Sequence, residues 1–409
     1  MRKPAIFYGY KIATAGFIIQ AVGIGTYITF GVFFKPIIDE LGWSRAALSG
    51  AQSLAILVSG VVGILIGRLN DKYGPRVLMS VTSLCFGLGL LAMAWLNDIW
   101  QVYIFYGILV GVGMSSINIL PLTAIARWFV KKRGLMSGLV KSGTGFGQFA
   151  IPLVVGALIY GVGWRNTYIL IGLAVILLLV TASQVLRKNP ESMGLEADGE
   201  KTSANGVRHQ ESGATSREAM HTLRFWLILF SIFATRFCLA SIMLHLIPHV
   251  TDIGILPVVA AGILSTIGGV SIGGRITAGF MVDRIGSRNS LMICTLILVL
   301  TMLWIQYITV TWMFFLFAVV YGFIHGGINT IFSPIVADYF GTRAHGTLLG
   351  VIMFGAAGGS AFGTVITGHV FDLTLSYGMA FWLLTGVATL SFLMILLARQ
   401  PKTLAVSPT

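Results

Sequence analysis

Twelve stretches of about 20 predominantly apolar residues punctuate this chain of 409, and a helix of that length crosses the ~30 Å hydrocarbon layer of a bilayer. They fall at 12–34, 47–67, 77–95, 101–126, 135–160 and 167–186, then at 225–250, 259–282, 290–309, 312–337, 347–369 and 378–398. Only 10% of the residues are charged, so a globular chain of this length would lack the polar groups to cover its surface. The 56% hydrophobic content equally excludes disorder. The first stretch follows Met1, Arg2 and Lys3 as a signal peptide would. Its ~23 apolar residues exceed a secretory h-region, so it is read as a retained helix. The expected fold class is an all-α membrane protein with twelve transmembrane helices.

A net charge of +13, from 27 Lys and Arg against 14 Asp and Glu, would raise the question of nucleic acid in a soluble protein. Here it sorts by loop. With the N-terminus inside, twenty basic residues fall in cytoplasmic segments and only three, Lys35, Arg45 and Arg165, fall outside. That asymmetry places both termini in the cytoplasm of a multi-pass inner (plasma) membrane protein, with the lipid bilayer and no nucleic acid as partner. The polar stretch 187–223 is a cytoplasmic linker between an N-terminal bundle, 1–186, and a C-terminal bundle, 224–409. Cys85, Cys238 and Cys294 sit in apolar runs and show neither disulfide nor metal-ligand spacing.

The two halves repeat each other. Gly67-Arg-Leu-Asn-Asp71-Lys72-Tyr-Gly74-Pro-Arg76 follows the second span, and Gly279-Phe-Met-Val-Asp283-Arg284-Ile-Gly286-Ser-Arg288 follows the eighth, offset by 212 residues. The same offset of 212 relates Gly134, Gly138, Gly143 and Gly147 on span five to Gly346, Gly350, Gly355 and Gly359 on span eleven. The chain is therefore a duplicated six-helix unit, two pseudo-symmetric bundles. In the repeated loop, glycine permits close backbone approach, and Asp71 can face helix N-termini or basic loops of its own half. Such a contact is a conformational latch that breaks and reforms; the plainer alternative is a turn that only caps and redirects the chain.

The paired loop motifs, the six-plus-six layout and the central linker resemble the major facilitator superfamily across essentially the whole chain. Within it, Arg127-Trp128-Phe129-Val-Lys131-Lys132-Arg133-Gly134-Leu135-Met-Ser-Gly138 resembles the signature at the fourth-to-fifth helix junction of the monocarboxylate transporter family. Gly31-Val-Phe33-Phe34-Lys35-Pro36 is similar as well, and Gly274-Arg275 matches the place where that family carries its substrate-binding arginine. The likeness extends to bacterial lactate-type members. It implies a major facilitator fold, alternating access of two bundles, and proton-coupled movement of a small monocarboxylate. Two departures stand out. Animal members carry an aspartate four residues before the arginine, where this chain has Ser271. They also carry a lysine in the first span, where residues 12–34 here hold no charge.

Arg275 lies about eight residues from the cytoplasmic end of span eight, or ~12 Å deep at 1.5 Å per residue. An arginine at that depth costs about 2.5–3.5 kcal/mol on insertion scales, so it faces a watery cavity or a partner. All fourteen acids lie in loops or at span ends, which leaves no internal anion for it. Its planar fork suits a carboxylate bidentately. Gly268, Gly269, Gly273 and Gly274 beside it would admit a neighbouring helix or a ligand. Arg236 on span seven is the rival, flanked by Phe233 and Phe237; it can instead snorkel or bond backbone carbonyls. Two cations would suit a dicarboxylate or phosphate ester, one a monoanion.

His245, His249 and Asp252 close span seven, the histidines four residues apart on one face. A third metal ligand is missing, so no metal is expected, and the group reads as a pH-sensitive cluster. His245, with Asp252 and Arg275, is the candidate for proton coupling and also contacts substrate; a hydrogen-bonded helix histidine is the alternative. The substrate can also carry its own proton. Asn118 and Asn329 occupy nearly equivalent places on spans four and ten, suited to lining a cavity or bonding between helices. Ser271, Tyr27, Tyr321 and Phe332 complete the candidate substrate site, the last able only to wall off a methyl group. Lys141 on span five reads as a snorkelling residue.

Gly269-Val-Ser271-Ile-Gly273 matches a hydrolase elbow but lies in a membrane helix, without the strand-to-helix turn or the triad partners. The Gly111-Val-Gly113 and Gly143-Thr-Gly145-Phe-Gly147 fragments lack a preceding strand and a Walker lysine. The chain is expected to be no enzyme and to need no cofactor. The expectation is a secondary, proton-coupled transporter of small monocarboxylates, L-lactate first and pyruvate beside it, working as a monomer. An anion exchanger of the oxalate/formate antiporter type is the alternative; it would need a second fixed cation facing the cavity.

Overall fold

A computed structural model of the chain describes residues 7–43, 45–199 and 213–399. Of the basic residues counted for orientation, Arg2, Lys3, Lys201, Arg208 and Lys402 lie outside the described residues. Among the described residues the fold is helical, with a single isolated bridge between Gly213 and Gly341 and no strand.

Among the described residues ten helices are long and apolar enough to cross a membrane: α1 (Tyr8–Phe34), α2 (Gly50–Tyr73), α3 (Pro75–Trp95), α4 (Ile99–Trp128), a 53-residue helix (Arg133–Val185), α7 (Leu223–Asp252), α9 (Ser287–Tyr307), α10 (Thr311–Phe340), α11 (His345–Phe371) and α12 (Tyr377–Leu397). The 53-residue helix breaks at Gly163, whose φ of 79° and ψ of 164° are not helical, and so supplies two crossings, α5 (133–162) and α6 (164–185). The 29-residue helix α8 (Pro257–Ile285) is the twelfth crossing. Local chemistry sets several starts. Asp98 and Gln101 form a capping box at α4. Thr222 Oγ1 accepts from Phe225 N at α7, and Ser376 Oγ accepts from Gly378 N at α12. Large apolar side chains such as Leu57, Leu88, Leu177, Leu316 and Leu393 stand exposed, as a lipid-facing surface requires.

The chain forms two compact units. The first comprises Met1–Ser212 with Thr342–Val351, and the second comprises Gly213–Gly341 with Ile352–Thr409. The boundary thus differs from a cut at the linker: the start of α11 belongs with the first unit, for a reason given below. Short turns at Pro190–Met193 and Ala197–Gly199 lead out of α6, and a capped helix at Ser216–Met220 leads into α7.

Inside each unit the repeated glycines seat helix on helix. In the first, Gly143 meets the backbone of Phe17 and Gly147 that of Ala21, which locks α5 to α1. In the second, Gly355 meets the side chain of Leu229 and Gly359 the backbone of Phe233, which locks α11 to α7. Adding 212 to each member of the first set gives the second. A Cβ at Gly147 or Gly359 would overlap the facing backbone, so only glycine fits.

Candidate functional site

In the second unit α8 and α10 pack through glycine. Gly274 rests on the backbone of Phe323, Gly322 on that of Ile267 and Gly326 on that of Ser271. A Cβ added at Gly268, Gly269 or Gly273 would meet nothing within 4 Å among the described residues, so of these four glycines it is Gly274 that seats a neighbouring helix. Arg275, one residue further along α8, is carried to this seam and is 2% exposed. Its Nη1 donates to Ser271 Oγ at 2.8 Å, and that hydroxyl donates in turn to Gly268 O at 2.7 Å. Its Nε is buried without a partner, and no carboxylate pairs with it among the described residues. The serine that stands where animal monocarboxylate transporters carry an aspartate therefore orients the guanidinium without neutralising it.

A second guanidinium enters the same neighbourhood. Arg236, on α7, donates from Nη1 to Asn329 Oδ1 at 3.0 Å, and Asn329 Nδ2 donates to His325 O at 2.7 Å. This answers which face of α7 the arginine occupies: it points at α10, and an amide holds it. His325 sits one turn before Asn329, within electrostatic range of both Arg275 and Arg236. Its ring stacks on Tyr321 with centroids 6.0 Å apart, and its buried Nδ1 has no hydrogen-bond partner among the described residues. Sequence reasoning passed over His325. The signal was present in the stripe Tyr321, His325, Asn329, spaced four by four on one helix face. Tyr321 donates its hydroxyl to Leu239 O at 2.8 Å and stacks on Phe317, so it offers the site a ring. Phe332 is 2% exposed, packed within the unit.

The first unit holds a matching pair. Lys141 Nζ donates to Asn118 Oδ1 at 2.6 Å, and Lys141 is 8% exposed. The expectation that Lys141 snorkels is thereby corrected: the amide on α4 holds the ammonium in the interior. Gln20, unremarked in the sequence, is fully buried and joins α1 to its neighbours. Its Nε2 donates to Ile117 O at 3.0 Å, and its Oε1 accepts from Thr144 Oγ1 at 2.8 Å. Tyr27 stacks on Tyr106, whose hydroxyl donates to Tyr27 O at 3.0 Å.

His245 lies among other neighbours. Its Nε2 is 3.0 Å from Thr364 O and its Nδ1 is 3.3 Å from the Tyr377 hydroxyl. A carbonyl only accepts, so Nε2 carries the hydrogen and Nδ1 accepts from tyrosine. Both ring nitrogens thus tie α7 to α11 and α12. His249 packs edge-on against Phe314, Tyr377 and Phe381, and Asp252 is exposed at the end of α7.

The repeated loop does several jobs. Asp71 Oδ1 accepts from Arg127 Nη2 at 2.9 Å and from Gly346 N at 3.0 Å. Its Oδ2 accepts from Thr347 N and Thr347 Oγ1, both at 2.8 Å. Asp71 therefore caps the start of α11, where the helix dipole favours an anion, and this draws Thr342–Val351 into the first unit. Gly67 and Gly346 touch backbone to backbone just beside it. Gly74 and Gly286 share one conformation, φ 83° and ψ 173° against φ 82° and ψ 159°, turning the chain into α3 and α9. Arg76 Nε donates to Gln184 Oε1, while Arg288 Nη2 donates to Leu396 O and its Nε to Ala398 O. Gln184 and Leu396 are again 212 apart, so each loop is stapled to the end of its own sixth helix. Lys72 lies over the Tyr73 ring, 5.0 Å from its centroid. Gly279, Asp283 and Arg284 occupy the equivalent end of α8.

Another charged cluster ties the first unit where α1's extension, α3 and α6 meet. Glu40 accepts from Trp164 Nε1 at 2.6 Å and from Arg165 Nε at 3.0 Å, while Arg165 also donates to Ala94 O and Leu96 O. The Trp164 indole, then Arg165, hold the Glu40 carboxyl below its usual range.

The family model of the Major Facilitator Superfamily matches residues 16–280 and 270–409. Human Monocarboxylate transporter 7 is 23% identical over 97% of this chain and 87% of its own length. Among solved structures, the transporter FucP in its outward conformation superposes with a TM-score of 0.74 at 13% identity, covering 97% of this chain and 99% of its own. The proton:xylose symporter XylE gives 0.70 at 14% identity, over 94% of each chain. At these identities the solved structures speak for the twelve-helix fold alone.

Proposed function

Since the chain belongs to the Major Facilitator Superfamily, we propose that it is a proton-coupled secondary transporter of small monocarboxylates, with L-lactate the first substrate to test. The observation that carries this is Arg275: a guanidinium 2% exposed in a membrane helix, oriented by Ser271, with a buried Nε and no carboxylate partnered to it among the described residues. A buried cation without an internal anion is completed by an external one. Arg275 anchors the substrate carboxylate, Ser271 fixes the anchor, and Tyr321 and Phe332 bound the small organic remainder. The human relative's name, Monocarboxylate transporter 7, supports the substrate class, and XylE's description as a proton symporter supports the coupling. Asp71, with its counterpart Asp283, serves as the latch of an alternating-access cycle. Both termini face the cytoplasm, and the monomer is the working unit.

Uptake of radiolabelled L-lactate into proteoliposomes under an inward proton gradient tests this, with wild type set beside Arg275→Gln. The expected result is accumulation against the lactate gradient, stopped by a protonophore and lost in the variant. Accumulation retained in Arg275→Gln overturns the arginine assignment. The second reading, an anion exchanger, draws on Arg236, a second cation near His325. No net lactate uptake, together with exchange against an internal dicarboxylate, would favour it.

A further inference from the structure

We infer that His325 binds the proton that travels with the anion, as the proton-binding member of a site whose anion-binding members are Arg275 and Arg236. The inference rests on the proposed transport function and names a part of its machinery.

Arg275 on α8, Arg236 on α7 and His325 on α10 are near neighbours, His325 within electrostatic range of both arginines. Tyr321 fixes the ring plane by stacking, and Asn329 fixes Arg236 while donating to the His325 carbonyl. The buried Nδ1 has no hydrogen-bond partner among the described residues, so it is the ring position with unused capacity. The other polar groups nearby are the Ser271 hydroxyl, engaged with Arg275, and the Cys238 thiol, which donates to Leu384 O. Cys294 lies beside Gly327 on α9, and the Tyr321 hydroxyl is spent on Leu239 O. No carboxylate pairs with this group among the described residues, so no acidic side chain competes for the role.

Such a group couples two ligands by charge. A carboxylate seated on the guanidiniums and a proton on the neighbouring imidazole attract each other across a water-poor space, so each strengthens the binding of the other. The step balances simply: neutral imidazole takes one proton at nitrogen as the carboxylate arrives, and returns it to water when the carboxylate leaves. The loaded pair adds no net charge. Gradient energy of one proton then supports about tenfold accumulation of the anion per pH unit. His245 is built differently, since Thr364 O and the Tyr377 hydroxyl already use its two nitrogens.

The test compares wild type, His325→Gln and His245→Gln, all as full-length protein. Three quantities are read: L-lactate exchange across proteoliposomes without a pH gradient, accumulation with one, and protons taken up from weak buffer when purified protein binds L-lactate. Wild type is expected to exchange, to accumulate about tenfold per pH unit, and to take up close to one proton on binding. His325→Gln is expected to keep exchange while losing both accumulation and proton uptake; His245→Gln, at the other histidine considered for coupling, is expected to keep proton uptake on binding. Accumulation by His325→Gln at the wild-type level overturns the inference and leaves the proposed function standing. Zero proton uptake by wild type on binding also overturns it, whatever the variants do. If wild type neither exchanges nor accumulates lactate, the proposed function fails first and the inference falls with it. Should His325→Gln not fold, His325→Asn takes its place under the same criteria.

Discussion

Replacing Asp71 by asparagine changes one oxygen for one NH2 and should have an effect well beyond its size. The carboxylate accepts four hydrogen bonds: from Arg127 Nη2, Gly346 N, Thr347 N and Thr347 Oγ1. An amide keeps one oxygen, so whichever way it turns, donors on one side meet another donor. At least two charge-assisted bonds go, at about 1.5–3 kcal/mol each. The side chain of Arg127, 3% exposed, loses its anion as well. Breaking one member of such a buried pair costs about 3–5 kcal/mol, a loss that already includes those bonds. The first unit spans some 220 residues, for which about 2–4 °C of Tm accompanies each kcal/mol, so the melt should fall by roughly 6–20 °C. The assay is thermal unfolding in detergent of wild type, Asp71→Asn, Arg127→Gln and the double variant. The double variant should lose clearly less than the two single losses combined, because the residues act on one another. An unchanged Tm in Asp71→Asn, or strict additivity in the cycle, would refute the reasoning.

Three further outcomes follow from the same geometry. Gly286→Ala forces a Cβ into φ 82° and ψ 159° with no neighbour within 4 Å, so the loss is backbone strain alone, about 1–3 kcal/mol by thermal melt. Gly74→Ala should cost at least as much, since Lys188 Cβ lies 3.1 Å from the added carbon. Ser271→Ala removes the bond that aims Arg275 and should raise the lactate KM about tenfold while kcat is held, the equivalent of ~1.5 kcal/mol. The Glu40 carboxyl is held below its usual range by Trp164 and Arg165, so its contribution to stability is present above the unfolded carboxylate range near pH ~4.3 and lost as pH falls through the lower folded value. The Tm gap between wild type and Glu40→Gln, measured from pH 7 downward, should therefore close in acid.

Much of the scaffold was legible because membrane helices announce themselves by length and because duplication repeats a pattern at a fixed distance. The twelve crossings appear at nearly the expected places, and the glycines singled out on spans five and eleven include those that seat α5 on α1 and α11 on α7. What escaped has physical causes. Asp71 was expected to find helix N-termini or basic loops within its own half. It finds Arg127 there, but the helix it caps begins 275 residues away, at a distance local pattern cannot see. Lys141 was read as snorkelling because its depth suggests it; the Asn118 amide that retains it lies on another helix. His325 was missed because a single histidine in an apolar run carries no motif, and only the fold brings it within electrostatic range of two arginines.

The offset of 212 also separates scaffold from chemistry. Where the repeat holds, the side chains build: Gly74 with Gly286 at the turn, Arg76 with Arg288 at the staple, Gly147 with Gly359 at the helix crossing. Where it fails, the differences fall on polar and charged side chains within the helices. Subtracting 212 from Arg275 gives Gly63, from Arg236 gives Ile24, and from His325 gives Gly113. Ser271 maps onto another serine, Ser59, which has no arginine to orient. The first unit answers with a different set, Lys141 held by Asn118 and a buried Gln20. The two units are thus matched in construction and different in the polar groups they hold: guanidiniums and an imidazole in the second, an amide-held ammonium in the first.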